Sequence, residues 1–252
     1  MLDRIEHDNG ILELRLNRPP VNAIDPALTQ RLRGAVSQAP RDGARALVIS
    51  GREGIYSGGL DLPSLLALDP AGLQAFFRDF FTLLRTVAAS EIPVAAAITG
   101  HSPAGGAVLS CFCDWRVMAE GPYRFGFNEV AVGIIVPVSV RRAITRMAGA
   151  EVSERLSVEA RLMSPEDALR LNLVHELAPP AEVVPRALAW CRRILAQPAR
   201  ATAIMRRRAR EDLVAGFDGQ LEEAETFTDL WFGEEGQQTL RAMVEKLKSR
   251  AK

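Results

Sequence analysis

The sequence predicts an α/β fold in which short buried strands alternate with helices, and three observations carry the prediction. Strand-like runs recur as ALVIS at 46–50, bounded by polar residues and Gly51, VAAAIT at 94–99 and RVMAE at 116–120. Between them the apolar residues follow helical period. In 70–89, Leu73, Phe76, Phe77, Phe80 and Leu84 recur at three- and four-residue steps. From about Pro185 onward nearly the whole chain reads as helix. Strands separated by helices point to βαβ-type units rather than to a sandwich.

Taken in order, MLDRIEHDNG enters a strand-like alternation at once, and ILELRL (11–16) alternates apolar and charged residues as a half-buried strand does. That run stops at Asn17-Arg18-Pro19-Pro20, where the prolines force an extended turn. Asp25 is a good N-cap for a helix reaching about Gln38. After ALVIS come the glycine turn GREGIYSGGLDL (51–62) and a helical-looking LDLPSLLAL. After VAAAIT come GHSPAGG and a helix from about Gly105 to Asp114. The tail holds a basic helix through Arg210 and amphipathic stretches around Leu221–Trp231 and Thr239–Leu247. Its apolar residues Leu221, Ala224, Phe227, Leu230 and Trp231 exceed what one helix buries alone, so they are expected to meet the core or another subunit. The organisation is an α/β core over 1–195 and a helical region over 196–252, without internal repeats.

Composition narrows the function. The 252 residues carry 31 basic and 31 acidic side chains, so no net field draws the protein to nucleic acid or a membrane surface. Three cysteines make no disulfide framework and are expected as buried reduced thiols. The histidines, His7, His101 and His175, lack metal-ligand spacing. With no apolar signal core and no apolar run near ~20 residues, a soluble, cytoplasmic protein is expected.

GHSPAGG (100–106) has the outline of a serine-nucleophile elbow, but Pro103 follows Ser102 and has no N–H to give an oxyanion hole. The alternative is that the turn itself is functional: Gly105-Gly106 opens a helix whose first N–H groups favour a developing anion. Ser57-Gly58-Gly59 repeats the strand–turn–helix arrangement, and two such turns can aim two N–H groups at one oxygen. Glu129, the lone carboxylate of GFNEVAVGIIVP (126–137), reads either as a surface glutamate or as a base held in an apolar pocket.

Together these segments resemble the enoyl-CoA hydratase/isomerase (crotonase) superfamily. LNRPPVNAID (16–25) is similar to its Asn-Arg-Pro…Asn-Ala motif, and YSGGLDL (56–62) to its first oxyanion turn. AGGAVLSCFCDWRVMAE (104–120) is similar to the second turn, and MSPEDALRLNLVHEL (163–177) to a later family segment, with Asn172 where glycine is usual. The resemblance implies a spiral of ββα units with a C-terminal helical oligomerisation region, a trimer or a dimer of trimers, and no metal or cofactor beyond the CoA of the substrate. It implies oxyanion donors at the N–H groups of Gly58 and Gly105, and an acyl-CoA thioester near residues 22–23 and along Ser57, Gly59, Leu60 and Asp61. Asn128 would orient substrate or carboxylate, and Phe77 and Phe80 would line the acyl tunnel or serve only as core. Arg192 to Arg210 would either touch CoA phosphates or form a solvated helix face.

The family's hydratases carry two glutamates. Here the first position is Val108 and the second is Glu129. Valine can neither activate water nor deliver a proton, so the resemblance implies a Δ3,Δ2-enoyl-CoA isomerase with Glu129 as single base and acid. Another acyl-CoA reaction of the family (hydration, hydrolysis or decarboxylation) and a non-catalytic acyl-CoA binder are the alternatives.

Overall fold

The computed structural model describes residues 1–250, except for the side chains of Gln220, Leu221, Lys248 and Arg250. The expectation for the Leu221 side chain therefore lies outside the described residues. The chain begins with an antiparallel hairpin, β1 (Leu2–His7) and β2 (Ile11–Leu16), followed by α1 (Pro26–Gln38). Asp25 caps α1 by accepting the Leu28 N–H at 2.7 Å.

The chain then repeats one pattern three times: a strand in a large sheet, a short strand in a small sheet, and helix. The first unit is β3 (Ala46–Ser50), β4 (Gly54–Ile55), α2 (Leu62–Leu65) and α3 (Pro70–Ala88). The second is β5 (Val94–Ile98), β6 (Gly100–Pro103) and α4 (Gly105–Cys111), and the third is β7 (Trp115–Ala119), β8 (Phe125–Gly126) and α5 (Val138–Ala148). Then come α6 (Ala150–Glu159), β9 (Leu162–Met163), α7 (Pro165–Arg170), β10 (Glu176–Ala178) and α8 (Val183–Leu195). The large sheet runs β1-β2-β3-β5-β7-β10, parallel beyond the hairpin, and the small one runs β4-β6-β8-β9. This is the expected succession of ββα units.

The continuous apolar strands are explained by burial on both faces. Leu47 and Ile49 of β3 face the main core with α1 and α3, while Ala46 and Val48 face α8. Ala95 and Ala97 of β5 also face α8, and their small side chains let Ala187 and Cys191 approach the sheet. The reading of 11–16 as half-buried is corrected here. β2 lies between β1 and β3, and Glu13 is fully buried. Its carboxylate accepts the Ser50 hydroxyl at 2.6 Å and pairs with Arg15 at 2.9 Å and His7 Nε2 at 2.8 Å. The three cysteines are free and buried, and burial pushes their thiols up to about 12.

The tail comprises α9 (Ala199–Ala209), α10 (Glu211–Ala215), α11 (Gln220–Phe232) and α12 (Glu234–Arg250). α11 lies on α3, with Phe227 4.8 Å from Phe77 and 5.5 Å from Phe81 between ring centroids, and Trp231 6.1 Å from Phe77. Ala224, Phe227 and Trp231 are thus buried by this chain's own core, while Leu230 remains partly exposed. The apolar face expected to meet the core or another subunit meets the core. Among the described residues no helix is long and apolar enough to cross a membrane.

α4 ends at Cys111, three residues before the expected Asp114, because Asp114 serves as a junction. It accepts the Val94 N–H at 2.7 Å and pairs with Arg206 at 2.8 Å and Arg210 at 2.9 Å. Both guanidiniums also donate to carbonyls at the C-terminal ends of α3 and α4: Arg206 to Ser90, and Arg210 to Ala88 and Phe112. Those ends carry the negative pole of the helix dipole. The solvated or phosphate-contacting face foreseen for Arg192 to Arg210 is corrected for these two arginines, which turn inward, while Arg192 pairs with Asp8 at the surface. Asp114→Ala would leave two guanidiniums buried without their carboxylate, and its expected destabilisation is about 3–5 kcal/mol in urea unfolding. Asp8→Ala, at a solvent-exposed pair, is expected to leave the urea midpoint in place.

Candidate active site

Two turns meet here at backbone distance. The first, after β4, is splinted by the Asn-Arg-Pro…Asn-Ala segment. Arg18 Nη2 bridges Asp25 at 3.0 Å and Asp61 at 2.5 Å. Asn22, at φ 50°, accepts the Arg18 N–H at 2.8 Å and donates to the carbonyls of Ile55 at 3.3 Å and Tyr56 at 3.1 Å. Ser57 Oγ donates to the Asn22 carbonyl at 2.8 Å and accepts the Gly59 N–H at 3.2 Å.

The second turn joins β6 to α4 through Ala104, whose φ of 46° and ψ of −122° strain a residue bearing Cβ by about 1–3 kcal/mol. Its N–H donates to Gly126 and its carbonyl accepts the Val108 N–H, at 2.8 and 2.9 Å. A Cβ on Gly59, itself at φ 90°, would stand 3.1 Å from Ala104 Cβ, 3.3 Å from the Pro103 carbonyl and 3.4 Å from the Gly105 nitrogen. A Cβ on Gly106 would come within 2.9 Å of the Ser57 carbonyl. Glycine is therefore required on both sides of the contact.

The contact decides which N–H groups are available. Gly105, at the first position of α4, has no acceptor among the described residues, as helix geometry dictates. The Gly58 N–H, expected as the other donor, is spent on the Val21 carbonyl at 2.7 Å. That expectation is corrected to Leu60. The Gly59 carbonyl and the Asp61 N–H both bond to Ile24, at 2.7 and 2.9 Å, so the intervening Leu60 N–H points away from Ile24 and has no acceptor among the described residues.

Leu60 and Gly105 line one cavity of about 430 Å³, together with Gly58, Asn128 and Glu129. Glu129 is its one carboxylate among the described lining residues. It is 5% exposed, its Oε2 has no hydrogen-bond partner among the described residues, and burial pushes its pKa up to about 7. Val108, on the first turn of α4, presents only methyl groups. Phe77, Phe80, Phe81 and Phe227 complete an apolar wall. Two N–H groups without acceptors, a carboxyl with its pKa raised to about 7 and apolar walls in one cavity are a combination that can stabilise an oxyanion while a neighbouring C–H is deprotonated, where both N–H groups reach the same oxygen.

The other expected residues fall around this centre. The buried Ser57 side chain, the Gly59 backbone and Asp61, which also caps α2 through the Ser64 N–H, hold the turn in shape and do not line the cavity. Asn128 does line it, with a buried Oδ1 free of partners among the described residues. Ser102 is buried outside the cavity, and His101 Nδ1 accepts the Arg124 N–H at 3.1 Å, so no serine–histidine pair forms. His175 stacks on Trp115 at 4.3 Å, and burial, helped by Arg116, lowers its pKa to about 4. It borders a second cavity of about 560 Å³ whose guanidiniums are engaged by Asp114, Asp212 and backbone carbonyls. Among the described residues no group of His, Cys, Asp and Glu is gathered for a metal ion. Sequence reasoning missed the Leu60 N–H and the contribution of α12, whose Met243, Lys246 and Leu247 reach the cavity. The NRPPVNA motif was the available signal for the splint.

The family model for enoyl-CoA hydratase/isomerase matches residues 6–252, and the chain belongs to that family. A probable enoyl-CoA hydratase (echA17) of Mycobacterium avium is 32% identical over 197 residues, covering 78% of this chain and 76% of that one. The mouse protein "enoyl-CoA delta isomerase 1, mitochondrial" is 29% identical over 254 aligned positions, covering 99% and 88%. Among solved structures, human mitochondrial Δ3-Δ2-enoyl-CoA isomerase superposes with a TM-score of 0.94 at 25% identity, covering 99% of this chain and 98% of that one.

Two outcomes follow from this geometry. Gly59→Ala forces the turns apart, and its expected effect is a loss of about 10²-fold or more in turnover in a chain that still folds by circular dichroism. The raised Glu129 pKa weighs on the folded state alone. Its contribution to stability is full below the unfolded value near 4.5 and is lost as pH rises through about 7. Glu129→Gln is therefore expected to be more stable than wild type at pH 8, by about 3 kcal/mol at ~1.4 kcal/mol per tenfold change in proton affinity. Denaturant melts at pH 5 and pH 8 test the sign.

Proposed function

We propose that the protein is a Δ3,Δ2-enoyl-CoA isomerase. The observation that carries the reading is the single carboxylate: among the described residues Glu129 is the one carboxylate lining the cavity of Leu60 and Gly105, and Val108 occupies the position where the resemblance places the hydratases' second glutamate. The thioester oxygen of a 3-enoyl-CoA sits between the Leu60 and Gly105 N–H groups. Ionised Glu129 takes a C2 proton, which thioester and alkene both acidify, and the electron pair spreads over a dienolate whose oxygen the two N–H groups hold. The protonated carboxyl returns the proton at C4, the double bond comes to rest between C2 and C3, and Glu129 is again a carboxylate. Asn128 orients the substrate or that carboxylate. Nothing in this sequence consumes water, which suits the apolar walls. A homotrimer or dimer of trimers is proposed from family likeness, and light scattering measures it.

The hydratase named among the relatives supplies the second reading, and Val108 weighs against it. The test is absorbance of the conjugated 2-enoyl thioester formed from a 3-enoyl-CoA, with chromatography for 3-hydroxyacyl-CoA and free CoA. Expected are conjugated product without 3-hydroxyacyl-CoA, and a kcat/KM that rises with pH through about 7 as Glu129 ionises. Glu129→Gln is expected to lose about 10²–10⁴ in turnover while still binding acyl-CoA. Release of 3-hydroxyacyl-CoA or free CoA, or undiminished turnover in Glu129→Gln, would sink the assignment.

A further inference from the structure

The cavity of about 430 Å³ is lined in part by fully buried rings, and on the proposal below its volume limits the acyl chain. We infer that the site, on the acyl-thioester reading above, takes medium-length chains of about ten to twelve carbons, with Phe77 as the residue that sets the limit. A 150 Å³ protein cavity holds benzene, about 25 Å³ per heavy atom, so 430 Å³ accommodates roughly 17 such atoms. The thioester oxygen and sulfur and the first atoms of the pantetheine arm take roughly five of these at that packing density, leaving about ten to twelve for the acyl chain.

The buried part of the lining is made of rings. Phe77 and Phe81 from α3 and Phe227 from α11 are 1–2% exposed, and Phe77 is wedged between Phe227 at 4.8 Å and Trp231 at 6.1 Å. Interiors packed this tightly do not absorb an extra methylene without displacing side chains. The exposed part of the lining includes Leu162, 37% exposed, and Leu247, 48% exposed. A shorter chain leaves apolar wall unfilled, and each methylene it lacks forfeits about fourfold in affinity.

Calorimetric titration of the wild-type protein with saturated straight-chain acyl-CoAs of four to sixteen carbons tests this without relying on any variant. Affinity is expected to tighten by up to about fourfold per methylene as far as about ten to twelve carbons, then stop tightening or fall. In Phe77→Leu, which shortens the floor side chain, the break is expected to move about two carbons longer. Affinity that climbs unbroken to sixteen carbons, or is flat from four, overturns the proposal. Saturated chains have no double bond to move, so the series reads the pocket separately from the reaction. A clear break with no conversion of 3-enoyl-CoA defeats the isomerase reading and leaves the length limit standing, and measured isomerisation with a flat series does the reverse.

Discussion

The site depends on two turns approaching until backbone touches backbone. Each turn lies between a strand and a helix, so each has N–H groups that no regular element consumes. A side chain on Gly59 or Gly106 would hold the turns apart. The same contact explains why Ala104 tolerates a strained conformation: Gly126 and Val108 bond it on both sides, and its neighbours across the contact are fixed by Ser57 and Asn22. Strain of this kind persists only where the surroundings over-determine it. Arg18 adds the electrostatic part by holding Asp25, the α1 cap, and Asp61, the α2 cap, with one guanidinium. The motif that looks like a substrate signature is therefore mainly the scaffold of a hydrogen-bonding geometry.

Glu129 is the counterpart of that rigidity. A carboxylate in an apolar cavity is costly when charged, and the cost itself makes it a proton acceptor and donor of comparable strength near neutral pH. Glu13 has the opposite environment. It is as deeply buried, yet Ser50, Arg15 and His7 surround it, and it is locked into structure. What separates the two carboxylates is the partners offered to them rather than the degree of burial.

Much of this was legible in the sequence. The strands at 46–50, 94–99 and 116–120, the α3 period and the Asp25 cap are local patterns, and each lies within about a residue of its structural counterpart. Glu129 stood out because a lone charge in an apolar run demands an explanation. The donor at Leu60 was hidden, because which N–H is free depends on pairing with Ile24, a contact made by folding and not by local spacing. Glu13 misled for a related reason: an alternating pattern marks a face turned away from apolar core, and only the structure says whether that face meets water or a polar network. The inward turn of Arg206 and Arg210 required knowing where Asp114 and the ends of α3 and α4 would lie.

The bonds from Arg206 and Arg210 to Asp114, Ala88 and Phe112 span 92 to 122 residues, and α11 and α12 bring cavity-lining residues from the far end of the chain. Synthesis proceeds from the N-terminus, so both turns and Glu129 leave the ribosome before the rings that cover α3. In that interval the Phe77, Phe80 and Phe81 face is an open apolar stripe, the kind of surface that chaperones hold and neighbouring chains capture. The helix that covers α3 and adds Phe227 to the cavity wall is also the one that ends this stripe's exposure to aggregation.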